Sequence, residues 1–189
     1  MADGMLKVAK NSDINFAKFD EKNPYFHVIK ALKSSGRLTG MKILDIGCGR
    51  EPRYQILCRE LARLGCVVTG VDTECKNEKG NPQFVRSSID DFKTKERFDA
   101  AISAYFFGYV TNDWARDGLG KKPADYETAL LKKLHGMLSA GGLSVHYMNE
   151  PWSLSRSDLE KTGFRIIKFP NPVDIFKVED GLCVLKKWD

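Results

Sequence analysis

Two carboxylates and a pair of glycines are the residues in this chain whose types and spacing point to chemistry. The apolar run Lys42-Ile43-Leu44 leads into Asp45-Ile46-Gly47-Cys48-Gly49, so a buried strand delivers an acid and then two glycines spaced by one residue. Glycines there let the backbone turn tightly and approach a ligand with no Cβ in the way. Val67-Val68-Thr69-Gly70-Val71-Asp72 is a second apolar strand, and it closes on a carboxylate about twenty residues beyond the glycines, the spacing at which an acid takes the two hydroxyls of a ribose. Strand, turn, helix, strand, acid is the order that binds an adenosine-type cofactor. Asp72 is the strongest single candidate after the glycines, and a loop cap is its alternative reading. Asp45 ends a buried strand, where an unpaired charge is costly, so its partners are turn amides or an amino group of the cofactor.

These residues need a sheet to hold them. The segment after the turn, Tyr54 to Gly65, has helical periodicity; it starts near Pro52, whose missing amide costs nothing in a first turn, and buries Leu57, Leu61 and Leu64. Gln83 to Arg86 reads as a third strand and Phe98 to Ala104 as a fourth. A long helix is expected from about Ala124 to Ser139, with Gly141-Gly142 ending it and releasing Leu143 to Met148 as a fifth strand. Ser155 and Asp158 look like a capping pair for a further helix that Gly163 stops. The last two strands, Phe164 to Phe169 and Leu182 to Lys187, are joined without an evident helix. The alternation predicts an α/β fold with a parallel sheet and an antiparallel ending.

At this point the chain resembles the class I S-adenosylmethionine-dependent methyltransferases, whose first motif (acid, apolar, Gly, any, Gly) is matched by Asp45 to Gly49. The resemblance runs from about Met41 to the end. It implies a doubly wound, mostly parallel seven-stranded sheet with helices on both faces and an antiparallel last strand, and S-adenosyl-L-methionine as the cofactor. We therefore expect a methyltransferase domain over residues 41–189, with residues 1–40 as a helical extension packed on the core; the apolar positions around Phe26, Ile29 and Leu32 fit a helix covering one sheet edge.

Under this resemblance the cofactor-binding candidates are Asp45, Gly47, Cys48, Gly49, Asp72, Ser88, Ile89 and Ser103. Arg50 and Glu51 stand where the family often has a third glycine, and they read either as partners for the methionine end of the cofactor or as surface residues at a helix start. The family commonly holds adenine with an acid at the position of Ser88, whereas here the acids come at Asp90 and Asp91. Either Ser88 and the Ile89 amide take that role or the register shifts to Asp90, which reads equally well as a cap. Tyr105 and Phe106, beyond the fourth strand, are the substrate-binding candidates at the carboxyl edge of the sheet. His146 and Glu150 are the candidates for a general base, and His146 reads equally as a satisfied core histidine.

Several classes are excluded or demoted. Ser103-Ala104-Tyr105-Phe106 stands where the family's DNA amino-methylating enzymes have Asn or Asp, two prolines and an aromatic. Ser103 also replaces the Asp of the Lys-Asp-Lys-Glu set of ribose methyltransferases, and there is no Pro-Cys pair for cytosine-C5 chemistry. Asn23-Pro24-Tyr25-Phe26 is similar to the first of these only superficially. A nicotinamide oxidoreductase is disfavoured by Pro52 at the sixth position of the glycine turn and by the lack of a Tyr-x-x-x-Lys pair.

With 189 residues, 42% hydrophobic, the chain suits one sizeable core. Its 30 basic and 25 acidic residues leave a mild charge of +5, spread along the chain, which permits nucleic acid without demanding it. The cysteines (Cys48, Cys58, Cys66, Cys75, Cys183) and the scattered histidines show neither disulfide-framework nor metal-site spacing, so no metal is expected. No apolar run is long enough to span a bilayer, and a reducing cytoplasm is the expected home. The expected acceptor is a small molecule. RNA or protein methylation, or a cofactor-binding subunit that needs a partner chain, are the alternatives.

Overall fold

The computed structural model describes residues 21–52, 54–107, 122–148, 153–169 and 181–188. In chain order the elements are α1 (Pro24–Ser34), β1 (Lys42–Ile46), α2 (Ile56–Arg63), β2 (Val67–Asp72), β3 (Gln83–Arg86), β4 (Phe98–Ala104), α3 (Pro123–Met137), β5 (Leu138–Tyr147), α4 (Arg156–Glu160), β6 (Phe164–Lys168) and β7 (Leu182–Lys187). They form a seven-stranded sheet in the order β3-β2-β1-β4-β5-β7-β6. The first five strands are parallel, and β7 is inserted antiparallel between β5 and β6. The expected architecture is therefore the observed one. The strand order reverses between β1 and β4, where open α/β sheets bind their ligands outside the carboxyl ends.

Alternation of side chains across the strands divides the core into two layers. Ile43, Val68, Ala100, Val145 and Val184 face α1 and α2, while Leu44, Ile46, Ala101, Cys183 and Leu185 face α3 and α4. The central strands are buried on both sides, which is why they read as nearly unbroken apolar runs.

One placement and two boundaries differ from the sequence expectation. The helix α1 lies across β4, β5 and β7 in the middle of one face, not over an edge. Asn23 caps it by accepting from the Tyr25 amide at 2.9 Å, and Pro24 supplies the preset first turn, so the Asn-Pro-Tyr-Phe run is a helix start. The helix α2 begins at Ile56, later than Pro52, because Tyr54 and Gln55 still form a turn on the Glu51 carbonyl. The helix α3 ends at Met137, and β5 starts at once with Leu138. Leu138 pairs with Phe98 and Leu143 with Ala100, so the intervening residues bulge out of the ladder.

Candidate functional site

The glycine turn is folded over the end of β2. Gly47 and Cys48 donate their amides to the Val71 carbonyl at 2.8 and 3.3 Å. Gly47 and Gly49 have φ of 70° and 89°, the left-handed region that costs other residues about 1–2 kcal/mol. A Cβ on Gly47 would stand 2.5 Å from Cδ2 of Phe106, and one on Gly49 would overlap Cβ of Tyr54. Both conformation and neighbours therefore require glycine. Asp72, at the carboxyl end of β2, ties the turn down from the other side: Oδ2 accepts from the Gly49 amide at 3.0 Å and Oδ1 from the Glu74 amide at 2.8 Å. It is thus a loop cap and an acid at the expected place, both at once.

Under the turn lies Asp45, buried and accepting from the Cys58 thiol at 3.0 Å. Burial pushes its carboxyl up to about 7; the thiol hydrogen bond opposes this, and the nearby charge of Asp72 adds to it. The first turn of α1 brings Tyr25 into the same neighbourhood, where burial and the charges of Asp45 and Tyr105 raise its phenol to about 12.

Beyond β4 the backbone enters Tyr105 with φ 68°, a conformation that costs a non-glycine residue about 1–3 kcal/mol. The Tyr105 amide donates to the Tyr147 carbonyl at 2.9 Å and the two rings meet edge to face at 5.2 Å, so the ends of β4 and β5 are pinned together. The next ring, Phe106, packs against Gly47. The sheet thus gathers Asp45, Gly47, Cys48, Gly49, Asp72, Tyr105 and Phe106 at one edge. The Cys48 side chain points into the core and its amide is spent on Val71, so its part there is structural.

Other predicted residues are placed elsewhere. Ser103 is fully buried and its hydroxyl lies 2.8 Å from Nδ1 of His146, while the Ser144 hydroxyl lies 2.6 Å from Nε2. With both ring nitrogens engaged, and burial holding its pKa down to about 3, His146 is a neutral core residue, not a general base. Ser103 is spent in the same cluster and presents no hydroxyl to a cofactor. Ser88 donates to the Asp91 carboxylate at 2.7 Å and accepts from its amide at 3.0 Å, which makes its hydroxyl a cap. Ile89 is buried in the α3-side layer. Asp90 does not turn to the cofactor edge: its carboxylate accepts from the Tyr126 hydroxyl at 3.4 Å and its carbonyl from Lys133. Arg50 and Glu51 pair with one another at 3.4 Å, about half exposed. Glu150 lies outside the described residues.

Two residues at the site, and a buried acid on α3, carry no signal in the motif. Gln55 is buried, donates from Nε2 to the Gly49 carbonyl at 3.1 Å and accepts from Arg59 at 3.0 Å, bracing the turn from α2. Its clue is a polar residue on the apolar side of the helix start. Tyr25 has no spacing relation to the glycines. Glu127 of α3 is 1% exposed, yet accepts from the Ser153 amide at 3.1 Å; burial raises its carboxyl to about 7 while the Ser153 and Leu154 amides oppose that shift.

The family model described as "Methyltransferase domain" matches residues 19–172, a span that takes in α1. The chain is 30% identical over 131 residues to a ubiquinone biosynthesis O-methyltransferase of Bradyrhizobium sp. (strain ORS 278), covering 64% of this chain and 45% of that protein. It is 33% identical over 99 residues to the mitochondrial ubiquinone biosynthesis O-methyltransferase of Arabidopsis thaliana, covering 46% of this chain and 30% of that protein. The chain thus spans less than half the length of these curated relatives. Among solved structures it is similar in fold to the N-methyltransferase NodS from Bradyrhizobium japonicum WM9 in complex with S-adenosyl-L-homocysteine, with a TM-score of 0.59, 13% identity and 94% of each chain covered. A TehB-like methyltransferase from Corynebacterium glutamicum gives a TM-score of 0.56 at 19% identity, with 92% of this chain and 91% of that chain covered.

Proposed function

The chain belongs to the methyltransferase-domain family, and from that premise we propose that it is an S-adenosylmethionine-dependent enzyme that methylates a small, planar acceptor on a nucleophilic oxygen. The observation that carries the proposal is the aromatic edge formed where Tyr105 meets Tyr147 and Phe106 packs on Gly47. Rings at the lip of the cofactor turn offer flat apolar faces to a flat acceptor. The relatives named for ubiquinone biosynthesis are O-methyltransferases, which supports oxygen as the accepting atom.

The residues present fit the cofactor. Two glycines hold the left-handed turn, and Asp72 stands at the end of β2 where ribose hydroxyls are recognised. S-adenosylmethionine supplies a methyl group already activated on a sulfonium, so the chain's task is chiefly alignment and exclusion of water. Asp72 holds the turn and presents its remaining lone pairs to the ribose. Tyr105 and Phe106 set the acceptor's plane and shield the transfer from solvent. His146, neutral and enclosed, takes no proton in this scheme; the acceptor hydroxyl loses its proton to solvent as its oxygen takes the methyl group.

The test is turnover of methyl-labelled S-adenosylmethionine against phenolic small molecules, total RNA and protein, each at two salt concentrations. Label in phenolic products with little salt dependence is expected. Salt-sensitive labelling of RNA alone, or of protein alone, would overturn the small-molecule acceptor, since phosphate contacts make binding fall steeply with salt.

A further inference from the structure

A cavity lies at the opposite end of the sheet from the glycine turn. It has a volume of about 660 Å3 and is bounded by the last turn of α1, the start of β4 and β5, and the last residues of β7. That size is in the range of small-molecule sites. The length of β1 alone puts it on the order of 15 Å from the cofactor turn.

The cavity is built by an irregularity, not by a gap between regular elements. Between the pairs Phe98 with Leu138 and Ala100 with Leu143, β5 has three more residues than β4 can match, and Ala140, Gly141 and Gly142 are displaced into the cavity wall. Gly141 has φ 68°, and a Cβ on Gly142 would stand 2.9 Å from the Ser139 carbonyl oxygen. Only glycines hold this bulge, and bulges of this kind collect beside binding sites.

The lining has a definite polarity. Met41, Leu143, Val184 and Ile167 form an apolar floor, and Ile167 is 53% exposed although it faces the cavity. Arg37 and Lys186 stand on the rim, both exposed, and among the described residues neither enters an ion pair. Asp99 is the one acid in the lining, and its Oδ2 already accepts from the Lys42 amide at 2.8 Å. The two cations against one engaged carboxylate leave a net positive rim over an apolar floor.

We propose that this cavity is a second ligand site, which takes a small amphipathic organic anion with its apolar body on Met41, Leu143, Val184 and Ile167 and its anionic group between Arg37 and Lys186. Because it lies at the amino ends of the parallel strands, it is occupied independently of the cofactor.

The test uses the fluorescent probe 8-anilinonaphthalene-1-sulfonate on the full chain. One probe per chain is expected to bind. Decanoate should displace it, decyltrimethylammonium should not, and saturating S-adenosylhomocysteine should leave it in place. The double variant Arg37→Glu, Lys186→Glu should lose at least tenfold in probe affinity while keeping the rise in melting temperature that S-adenosylhomocysteine gives. Absence of probe binding, displacement by S-adenosylhomocysteine, equal displacement by the cationic amphiphile, or an unchanged affinity in a folded double variant would each overturn the proposal. The competition arms decide the matter even where the variant does not fold.

Discussion

The carboxylate of Asp72 holds the amide of Gly49 at 3.0 Å across a separation of 23 residues, so the acid expected to read the cofactor also fastens the turn that receives it. Fixing both oxygens on backbone amides preorganises the carboxylate, because a rotamer locked by packing and hydrogen bonds keeps its lone pairs aimed.

Replacing Asp72 with alanine should accordingly do two things. Hydrogen bonds to a charged group contribute about 1.5–3 kcal/mol, so affinity for S-adenosylhomocysteine should fall roughly ten- to 150-fold. The melting temperature of the free protein should fall as well, since the Gly49 and Glu74 amides lose their acceptor. Calorimetric titration and thermal melts measure the two effects separately. Unchanged affinity with a lowered melting temperature would reduce Asp72 to a structural cap.

The two glycines of the turn should not tolerate alanine equally. At Gly47 the new methyl meets a ring carbon of Phe106, which can swing aside; at Gly49 it overlaps Cβ of Tyr54, which is fixed to the backbone. Each substitution also carries the left-handed penalty of about 1–2 kcal/mol. We expect Gly47→Ala to cost about 1–3 kcal/mol and Gly49→Ala more than about 3 kcal/mol, read from urea midpoints. The reverse order would show that the Phe106 side of the turn is the rigid one.

Much of this was legible in the sequence because it is local. An apolar run that ends in Asp45 and opens into Gly47-Cys48-Gly49 declares its strand and turn within eight residues, and the same holds for Val67 to Asp72. What was not legible depends on partners distant in the chain. Gly141-Gly142 reads as a helix stop, yet the helix has already ended at Met137, and the glycines serve a bulge set by the pairing of β5 with Phe98 and Ala100. His146 has the residue type of a base; its neutrality comes from Ser103, 43 residues away on the neighbouring strand. Tyr25 reaches Asp45 only because α1 folds across the middle of the sheet, a packing choice that no spacing rule encodes.

His146 gives a prediction that separates core from catalysis. Its imidazole satisfies two buried hydroxyls, so His146→Ala leaves Ser103 and Ser144 unpaired and opens a cavity, at about 2–4 kcal/mol in stability. Turnover at a temperature where the variant stays folded should remain within a few-fold of the parent, with the same pH profile. Loss of a rate-controlling ionisation near neutrality in the variant would restore His146 as a base.

The last prediction concerns stability against pH, and its sign follows from two buried acids. Asp45 and Glu127 both have carboxyls raised to about 7 by burial, above the usual range of the unfolded chain. The folded state therefore binds more protons than the unfolded one between the two values, so this contribution is full in acid and is lost as pH rises through about 7. His146 acts in the opposite sense: its folded pKa is lowered to about 3, so its contribution is full above about 6.5 and is lost as pH falls below that. His135, also held down by burial and by Lys187, adds to the same side. Between pH 6 and 8 the two acids outweigh the histidines, and the net loss of stability is about 1–2 kcal/mol, or roughly 2–8 °C in melting temperature. Asp45→Asn combined with Glu127→Gln removes the acid terms and leaves the histidines, so the slope should change sign and the variant should melt higher at pH 8 than at pH 6. Thermal melts across this range in a buffer of constant ionic strength check both signs. A parent protein that gains stability from pH 6 to 8, or a double variant that keeps the parent's slope, would show that these carboxyls are already ionised in the folded state at pH 6.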